Sequence, residues 1–372
     1  MSDESAMRDD AARASAGSVV VHVFGRTDVG RTREHNEDAF VVADLTAGNA
    51  TLQPEVRTHT VGPRGSLFMV ADGMGGAAAG EIASAMAVEV VVRDMLVRWT
   101  QAAEPPTPEL FAAALRSATD HANARIHRYA SEHREYRGMG TTATVAGLLG
   151  DTLYVAQVGD SRAYLVRDGV ARQITKDQSL MQRLVEAGEI TAEEAEVSER
   201  RNIILQALGP EASVKIDVTH QRVRRGDTLI LCSDGLSGLV RGDEIARAVV
   251  AERDLVTLCR MLIDAANAAG GPDNITVIAA RFEGDGLVDV EAGDDVGYQV
   301  FPLGADDGTD LPDTHEYRAR TTQPIPVQAG ADGAAAPAPR PAASVRRAYL
   351  LVGGLGAALL AAWAVHAFVL SR

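Results

Sequence analysis

One stretch decides the fold of this chain: Phe68-Met69-Val70-Ala71-Asp72-Gly73-Met74-Gly75-Gly76. Its first four residues are an apolar run typical of a buried strand, and the acid follows where that strand should end. The glycines after the acid allow tight turns and a close approach of the backbone to a ligand. We therefore expect Asp72 at a strand end, facing a site. A purely structural turn is the alternative.

Further acids lie far from this stretch along the chain. Asp234 follows a second apolar run, Asp273 precedes a third, and Glu37 with Asp38 precedes a fourth. Acids that strand ends deliver into one cleft repel one another and need cations to offset that repulsion. The separate acidic clusters therefore predict the two halves of one metal site.

The kinds of side chain in these clusters indicate which metal they suit. Carboxylates without a His or Cys cluster favour hard cations such as Mg²⁺ or Mn²⁺. Two such ions sharing Asp72 and a bridging water would lower the pKa of that water toward about 7. Hydroxide formed in this way predicts a phosphate ester as substrate. Arg33 could hold the phosphoryl oxygens, although an exposed loop arginine is the alternative.

The composition excludes some function classes. The 372 residues carry a formal net charge of -15, which argues against a nucleic-acid surface. Residues 284–345 hold 11 acids against 3 arginines, so the acidity lies largely in that segment. The only cysteines are Cys232 and Cys259, without a CxxC motif, and we expect both in the core.

The sequence divides into four parts. Residues 1–16 form a polar segment without a signal-peptide core, which predicts a disordered leader. Residues 17–283 are the folded domain. Residues 284–345, acidic and rich in Pro, Ala and Gly, predict a disordered linker, and residues 346–372 a membrane anchor.

The anchor is predicted from its length and its flanking charges. Residues 348–370 contain no charged side chain, and they would form a helix of roughly 34 Å against a hydrocarbon core of about 30 Å. Arg346 and Arg347 precede it, which predicts a single-pass protein of the cell inner membrane with its folded domain in the cytoplasm. A buried C-terminal helix of a soluble fold is the alternative.

The folded domain mixes strand and helix patterns. Strands are predicted at 18–24, 39–44, 66–71, 141–149, 152–158, 162–167, 213–220, 227–232 and 274–282. Helices are predicted at 80–98, 108–131, 179–187, 242–251 and 254–268. Short turns between successive strands indicate antiparallel pairing and an α+β class.

Six motifs together resemble the metal-dependent type 2C (PPM) Ser/Thr protein phosphatases of bacterial type. They agree in order and spacing, and they occupy residues 33–38, 71–76, 138–144, 158–162, 233–236 and 270–276. The resemblance covers roughly residues 20–282. It implies a four-layer sandwich of two central antiparallel sheets flanked by helix pairs, with a dinuclear Mn²⁺ or Mg²⁺ centre at one edge.

The resemblance assigns the first metal and the bridge. Asp72 resembles the acid that bridges both ions, and Asp234 and Asp273 resemble the remaining ligands of the first ion. In the Gly-Asp-Ser-Arg motif, Asp160 is similar to part of a structural turn, and Ser161 is a poor candidate for a nucleophile.

The second metal and the catalytic groups follow from the same resemblance. Glu37 and the Gly73 carbonyl are similar to ligands of the second ion, and Asp38 to an acid that holds a metal-bound water. Arg33 resembles the phosphate-binding arginine of the family. These are the catalytic candidates Arg33 and Asp38.

Two positions depart from the family pattern. Some members have a proton-donating His where this chain has Met74. Bacterial members bind a third ion through an Asp before the Gly-Met-Gly-Thr-Thr run, where the nearest acids here are Glu135 and Glu132. A third metal at Glu135 is therefore an open possibility. The segment 176–209 resembles the mobile flap beside the cleft.

The implied activity is hydrolysis of phosphoserine and phosphothreonine in proteins by a hydroxide bridging two Mn²⁺ or Mg²⁺ ions. The expected partners are phosphorylated proteins, Ser/Thr kinases whose action the enzyme would oppose, and the membrane. Two alternatives stay open. One is a catalytically weak module that binds phosphoproteins at the membrane, and the other is a phosphatase of small phosphate esters.

Overall fold

The computed structural model describes residues 17–49, 58–75, 79–198, 200 and 202–303. The strands in these ranges are β1 Val20–Asp28, β2 Asp38–Asp44, β3 Thr58–Thr60, β4 Ser66–Met74, β5 Gly140–Thr141, β6 Ala143–Leu149, β7 Thr152–Val158, β8 Arg162–Arg167, β9 Val170–Gln173, β10 Asp217–Arg222, β11 Thr228–Cys232 and β12 Ile275–Glu283. The α-helices are α1 Ala79–Asp94, α2 Pro108–Glu132, α3 Leu180–Glu186, α4 Ala192–Val197, α5 Asp234–Ser237, α6 Gly242–Ala251 and α7 Leu255–Ala268.

The strands form two antiparallel sheets. The first has the order β3-β1-β12-β11-β8-β9, and the second has the order β10-β7-β6-β4-β2 with β5 paired to β4. The predicted α+β class with two antiparallel sheets is therefore confirmed. The sequence pattern missed the short strands β3, β5 and β9, each of which has at most four residues.

Three apolar clusters separate four layers. One cluster, with Phe68 and Phe282, fills the space between the two sheets. A second packs α1 and α2 on the second sheet, around Phe111 and Trp99. The third packs α6 and α7 on the first sheet and contains both cysteines, whose thiol pKa values burial raises to about 12.

The predicted linker differs from the structure at its start. Residues 284–303 lie on the folded domain rather than beyond it: the backbone N–H of Phe301 donates to the Val218 carbonyl at 2.8 Å, beside edge strand β10. Leu287 is buried in the core between the sheets, and the guanidinium of Arg224 pairs with Asp294 at 2.7 Å. We call residues 284–303 the strap.

The other predicted segments lie outside the described residues, namely 1–16, most of the linker and the anchor at 346–372. In the part of the chain that is described, no helix has the length and apolar character needed to cross a bilayer. The membrane anchor thus stays a prediction.

Candidate metal centre

Asp72 is fixed through its backbone by the Gly-Thr-Thr motif. Its N–H donates to Thr142 Oγ1 at 2.9 Å, and its carbonyl accepts from Thr142 N at 2.8 Å and from Thr141 Oγ1 at 2.9 Å. These bonds join the end of β4 to β5 and β6. The motif therefore holds the main chain of the proposed bridging acid rather than supplying a ligand itself.

Asp38 lies directly opposite Asp72 in the register of β2 and β4. Its Oδ2 accepts hydrogen bonds from Ser233 Oγ at 2.8 Å and from Thr276 Oγ1 at 2.6 Å. Its Oδ1 is buried and has no hydrogen-bond partner among the residues that the structure describes. Two acids placed opposite each other repel, and Asp38 is buried while Asp72 is half-buried. This register therefore favours a cation between the strand ends.

Glu37 and Gly73 meet at the start of α1. The Gly73 N–H donates to the Glu37 carbonyl at 3.1 Å, and the backbone of Gly80 donates to the Glu37 carboxylate. A Cβ on Gly73 would come within 2.2 Å of the Gly80 carbonyl oxygen. Any larger side chain would collide with this carbonyl oxygen, so position 73 requires glycine.

Asn274 ties the loop before β2 to the start of β12. Its Oδ1 accepts from Glu37 N at 2.8 Å, and its Nδ2 donates to the carbonyls of Val29 and His35 at 2.9 and 3.0 Å. The adjacent Asp273 is thereby brought to Glu37, although 236 positions separate the two residues.

These segments enclose a cleft of about 470 Å³. Its lining includes the predicted site residues Arg33, Glu37, Asp72, Gly73, Asp234 and Asp273. Asp38 lies beneath this lining, with a relative exposure of 8%. The structure therefore brings together the five predicted metal-binding residues, with Asp38 behind them.

Arg33 is paired with two of the acids in this structure. Its Nη2 donates to Asp273 Oδ2 at 2.8 Å, and its Nη1 lies 3.9 Å from Glu37 Oε2. Burial alone would lower the pKa of Arg33, but Asp273 and Glu37 raise it. The guanidinium therefore stays charged at the mouth of the cleft.

Burial and mutual repulsion raise the pKa values of the acids. Burial and then the neighbouring Asp38 place the pKa of Asp72 well above its usual range. Burial and Asp273 raise the pKa of Asp234, although a hydrogen bond from Asp72 opposes this. Burial raises the pKa of Asp38 to about 7, against the hydrogen bonds from Thr276 and Ser233. Cations would relieve this repulsion.

The donor set fits a hard divalent cation. It consists of carboxylate oxygens and one backbone carbonyl, which are the ligands of Mg²⁺ and Mn²⁺. Across the described residues, no three acidic, His or Cys side chains meet at metal-ligand spacing. Asp72 and Asp234 form a hydrogen-bonded pair in the cleft. Glu37 and Asp273 are each paired with Arg33, which lies between them.

The other predicted positions lie in different surroundings. Glu135 is exposed in a short 3₁₀ turn, outside the lining of the cleft. Met74 lines the cleft and offers no ionisable proton. Ser161 is fully buried and hydrogen-bonded to Thr142 at 2.7 Å.

Sequence reasoning missed a role for Asp160. This acid is buried, and its Oδ1 has no hydrogen-bond partner in the part of the chain that the structure describes. Burial, followed by the neighbouring charge of Asp234, raises the pKa of Asp160 well above its usual range. It lines a second cavity of about 220 Å³ that shares Arg33, Asp234 and Asp273 with the cleft. Its motif suggested only a turn, because burial beside Asp234 depends on a pairing distant in sequence.

Comparison with known proteins places this fold and site in one class. The family model of protein phosphatase 2C matches residues 49–274. The serine/threonine phosphatase stp of Listeria monocytogenes is 38% identical over 258 residues, which cover 69% of this chain and 94% of that protein.

Solved structures agree with this assignment. The serine/threonine phosphatase PstP/Ppp of Mycobacterium tuberculosis is 35% identical, with a TM-score of 0.59, over 71% of this chain and 99% of that one. The catalytic domain of the phosphatase PstP in complex with two manganese ions is 34% identical, with a TM-score of 0.58, over 71% and 99%.

The chain therefore belongs to the protein phosphatase 2C family. The prediction that it is a protein-serine/threonine phosphatase is confirmed. The manganese ions belong to the related PstP catalytic domain and support the Mn²⁺ or Mg²⁺ requirement that the resemblance implied.

Proposed function

We propose that this chain hydrolyses phosphoserine and phosphothreonine in proteins by means of two Mn²⁺ or Mg²⁺ ions in the acidic cleft. One observation carries the proposal: Glu37, Asp72, Asp234 and Asp273, from four separate segments, line one cleft together with Arg33. Every predicted ligand is present, so nothing favours a catalytically weak binding module.

The acids of the cleft and the Gly73 carbonyl would hold the two ions. Asp72 would bridge the ions, with Asp234 and Asp273 on one and Glu37 and the Gly73 carbonyl on the other. When bound, the ions would supply the positive charge that makes water acidic and stabilises developing phosphoryl charge.

Arg33 and Asp38 act on the substrate and on water. Because Arg33 is 47% exposed and held only by cleft acids, it can turn to donate two N–H groups to a phosphate. The unpartnered Oδ1 of Asp38 faces no competing protein donor, so it can accept a hydrogen bond from the attacking water and orient it.

The substrate class is tested by comparing leaving groups. We expect the full chain with Mn²⁺ to release phosphate from a phosphothreonine peptide with a higher kcat/KM than from small phosphate esters. Asp72→Asn should lower the rate by about a thousandfold, since a neutral amide with one oxygen replaces the charged carboxylate that both ions would share, while exposed Glu135→Gln should leave it unchanged. Equal or better hydrolysis of small esters, or an active Asp72→Asn protein, would reject the proposal.

We further propose that residues 348–370 tether the enzyme to the inner membrane, where it opposes a Ser/Thr kinase. The uncharged segment and the two arginines before it support the tether. Fractionation of cells should recover the full chain with membranes and a chain ending at residue 345 in the soluble fraction. Recovery of both in the same fraction would contradict the tether.

A further inference from the structure

A third cavity, of about 550 Å³, lies at the other end of the first sheet. Strand β12 begins beside the metal centre at Ile275 and reaches this cavity at Arg281 and Glu283. Six residues of extended strand separate Ile275 from Arg281, or about 20 Å. The cavity is therefore distinct from the catalytic cleft.

Arg281 in this cavity is buried without an ion pair. Its relative exposure is 9%, and its Nη1 donates to the Arg253 carbonyl at 2.7 Å. That bond uses one of the five N–H donors of a guanidinium. No salt bridge joins Arg281 to any acid within the described ranges, whereas buried charges are normally paired.

The surroundings offset this positive charge only in part, through Glu283, which also lines the cavity, and Glu252. Burial and then the second arginine, Arg253, lower the pKa of Arg281, and the opposing effects of Glu283 and Glu252 are smaller. Asp254 also lines the cavity, but its Oδ2 accepts hydrogen bonds from Thr257 N at 3.0 Å and Thr257 Oγ1 at 2.8 Å.

Arg281 belongs to a row of polar residues on a face of the first sheet that also carries Glu283 and Arg26. In the register of four neighbouring strands, Thr58 lies beside His22, His22 beside Arg281, and Arg281 beside Thr228. The hydroxyl of Thr228 is buried and has no hydrogen-bond partner within the described ranges. Further along β12, Val277 and Ala279 on this face pack in the apolar cluster beneath α7.

The start of α7 lies at this cavity and also favours an anion. Leu255 and Val256, its first residues, line the cavity. The N-terminus of this 14-residue helix carries partial positive charge, which favours an anion, although the carboxylate of its N-cap residue Asp254 already accepts the Thr257 N–H.

We infer that this cavity binds a phosphate group, held by the guanidiniums of Arg281 and Arg253 at the start of α7. The group is either free inorganic phosphate or the phosphate of a phosphorylated side chain, because both present the same tetrahedral oxyanion. Binding would supply the acceptors that Arg281 lacks and offset its repulsion with Arg253. The inference extends beyond the proposed hydrolysis, since no catalytic residue lies in this cavity.

Direct binding tests the inference without catalysis. Inorganic phosphate is titrated into the full chain in EDTA, so that no metal holds phosphate in the acidic cleft, and binding is followed by calorimetry. We expect one phosphate per chain, with at least about tenfold weaker binding in Arg281→Gln and clear weakening in Arg253→Gln, because charge-assisted hydrogen bonds are lost. The matched control is Arg260→Gln, an exposed arginine of the same helix, which should bind as the unaltered chain does.

Arg253 is exposed, so its substitution leaves the core intact. Weaker phosphate binding in Arg253→Gln can therefore not be attributed to a loss of folding, as it could be for the buried Arg281. The source of the phosphate follows from competition: displacement by a phosphoserine peptide and not by its unphosphorylated form identifies a phosphorylated side chain, whereas displacement by neither identifies free phosphate. The absence of saturable binding, unaltered binding in both arginine variants, or equal weakening in Arg260→Gln would overturn the inference.

Discussion

At the scale of single residues, the site is built from acids that oppose one another. Asp38 and Asp72 face each other in register, Asp38 is buried and Asp72 half-buried, and burial followed by Asp38 raises the pKa of Asp72. A protein tolerates such a pair where a ligand compensates it. The acids that prepare the cleft for metal should therefore destabilise the metal-free fold.

Replacing Asp38 should stabilise the metal-free protein in a pH-dependent way. Its pKa is raised in the folded chain from its usual value of 3.8 to about 7, so the folded state binds more protons than the unfolded state between these values. Wild-type stability must then fall as pH rises through this window. In EDTA, we expect Asp38→Asn to be more stable than wild type at pH 8, by on the order of 2–4 kcal/mol, and nearly equal at pH 4.5.

Urea denaturation at both pH values measures this difference. The exposed acid Asp264, changed to Asn, serves as control and should show no comparable gain at pH 8. A protein with Asp38→Asn that is equally or less stable than wild type at pH 8 would show that the buried carboxylate carries no ionisation cost.

The residues of the site were predictable to different degrees. Asp72 and Asp234 could be found because each follows an apolar strand run, a local signal. Asp160 could not, because its burial beside Asp234 arises from packing between distant strands. The hydrogen bond between Asn274 and the backbone of Glu37 likewise depends on a loop more than two hundred residues earlier in the chain.

At the scale of elements, the strap shows where composition misleads. Its acidic, glycine-containing sequence resembles a linker, yet it pairs with edge strand β10 and covers that edge. A few specific contacts, such as Phe301 on Tyr154 at 5.3 Å, replace a continuous apolar pattern. The major strands and long helices, by contrast, were predictable because each carries its own periodicity.

Shortening Phe301 should loosen the strap. Its ring packs edge-on against Tyr154 and His220, each with a centroid distance of 5.3 Å. We expect Phe301→Ala to lower the free energy of unfolding by about 1–3 kcal/mol, less than for a fully buried ring. The neighbouring Val300 is 61% exposed, so Val300→Ala should change stability little. Equal effects of the two substitutions in thermal unfolding would contradict the packing role of the strap.

At the scale of the whole molecule, two sheets and their helices serve to assemble one cleft. Asp72, the proposed bridging acid, comes from the second sheet, while Asp234 and Asp273 flank strands of the first. Neither sheet alone carries the site, so the sandwich must form before the acids meet. The order of the motifs indicated this arrangement, but the distances and the pairing of Arg33 required the structure.

The most direct test of the account counts Mn²⁺ bound to the full chain by titration calorimetry. We expect at least two ions per chain, with binding largely lost in Asp72→Asn, because that carboxylate is the ligand both ions share. The control Glu135→Gln should keep these two ions, since Glu135 lies outside the cleft lining. Fewer than two ions in the unaltered chain, or two ions still bound by Asp72→Asn with unchanged affinity, would contradict the dinuclear centre.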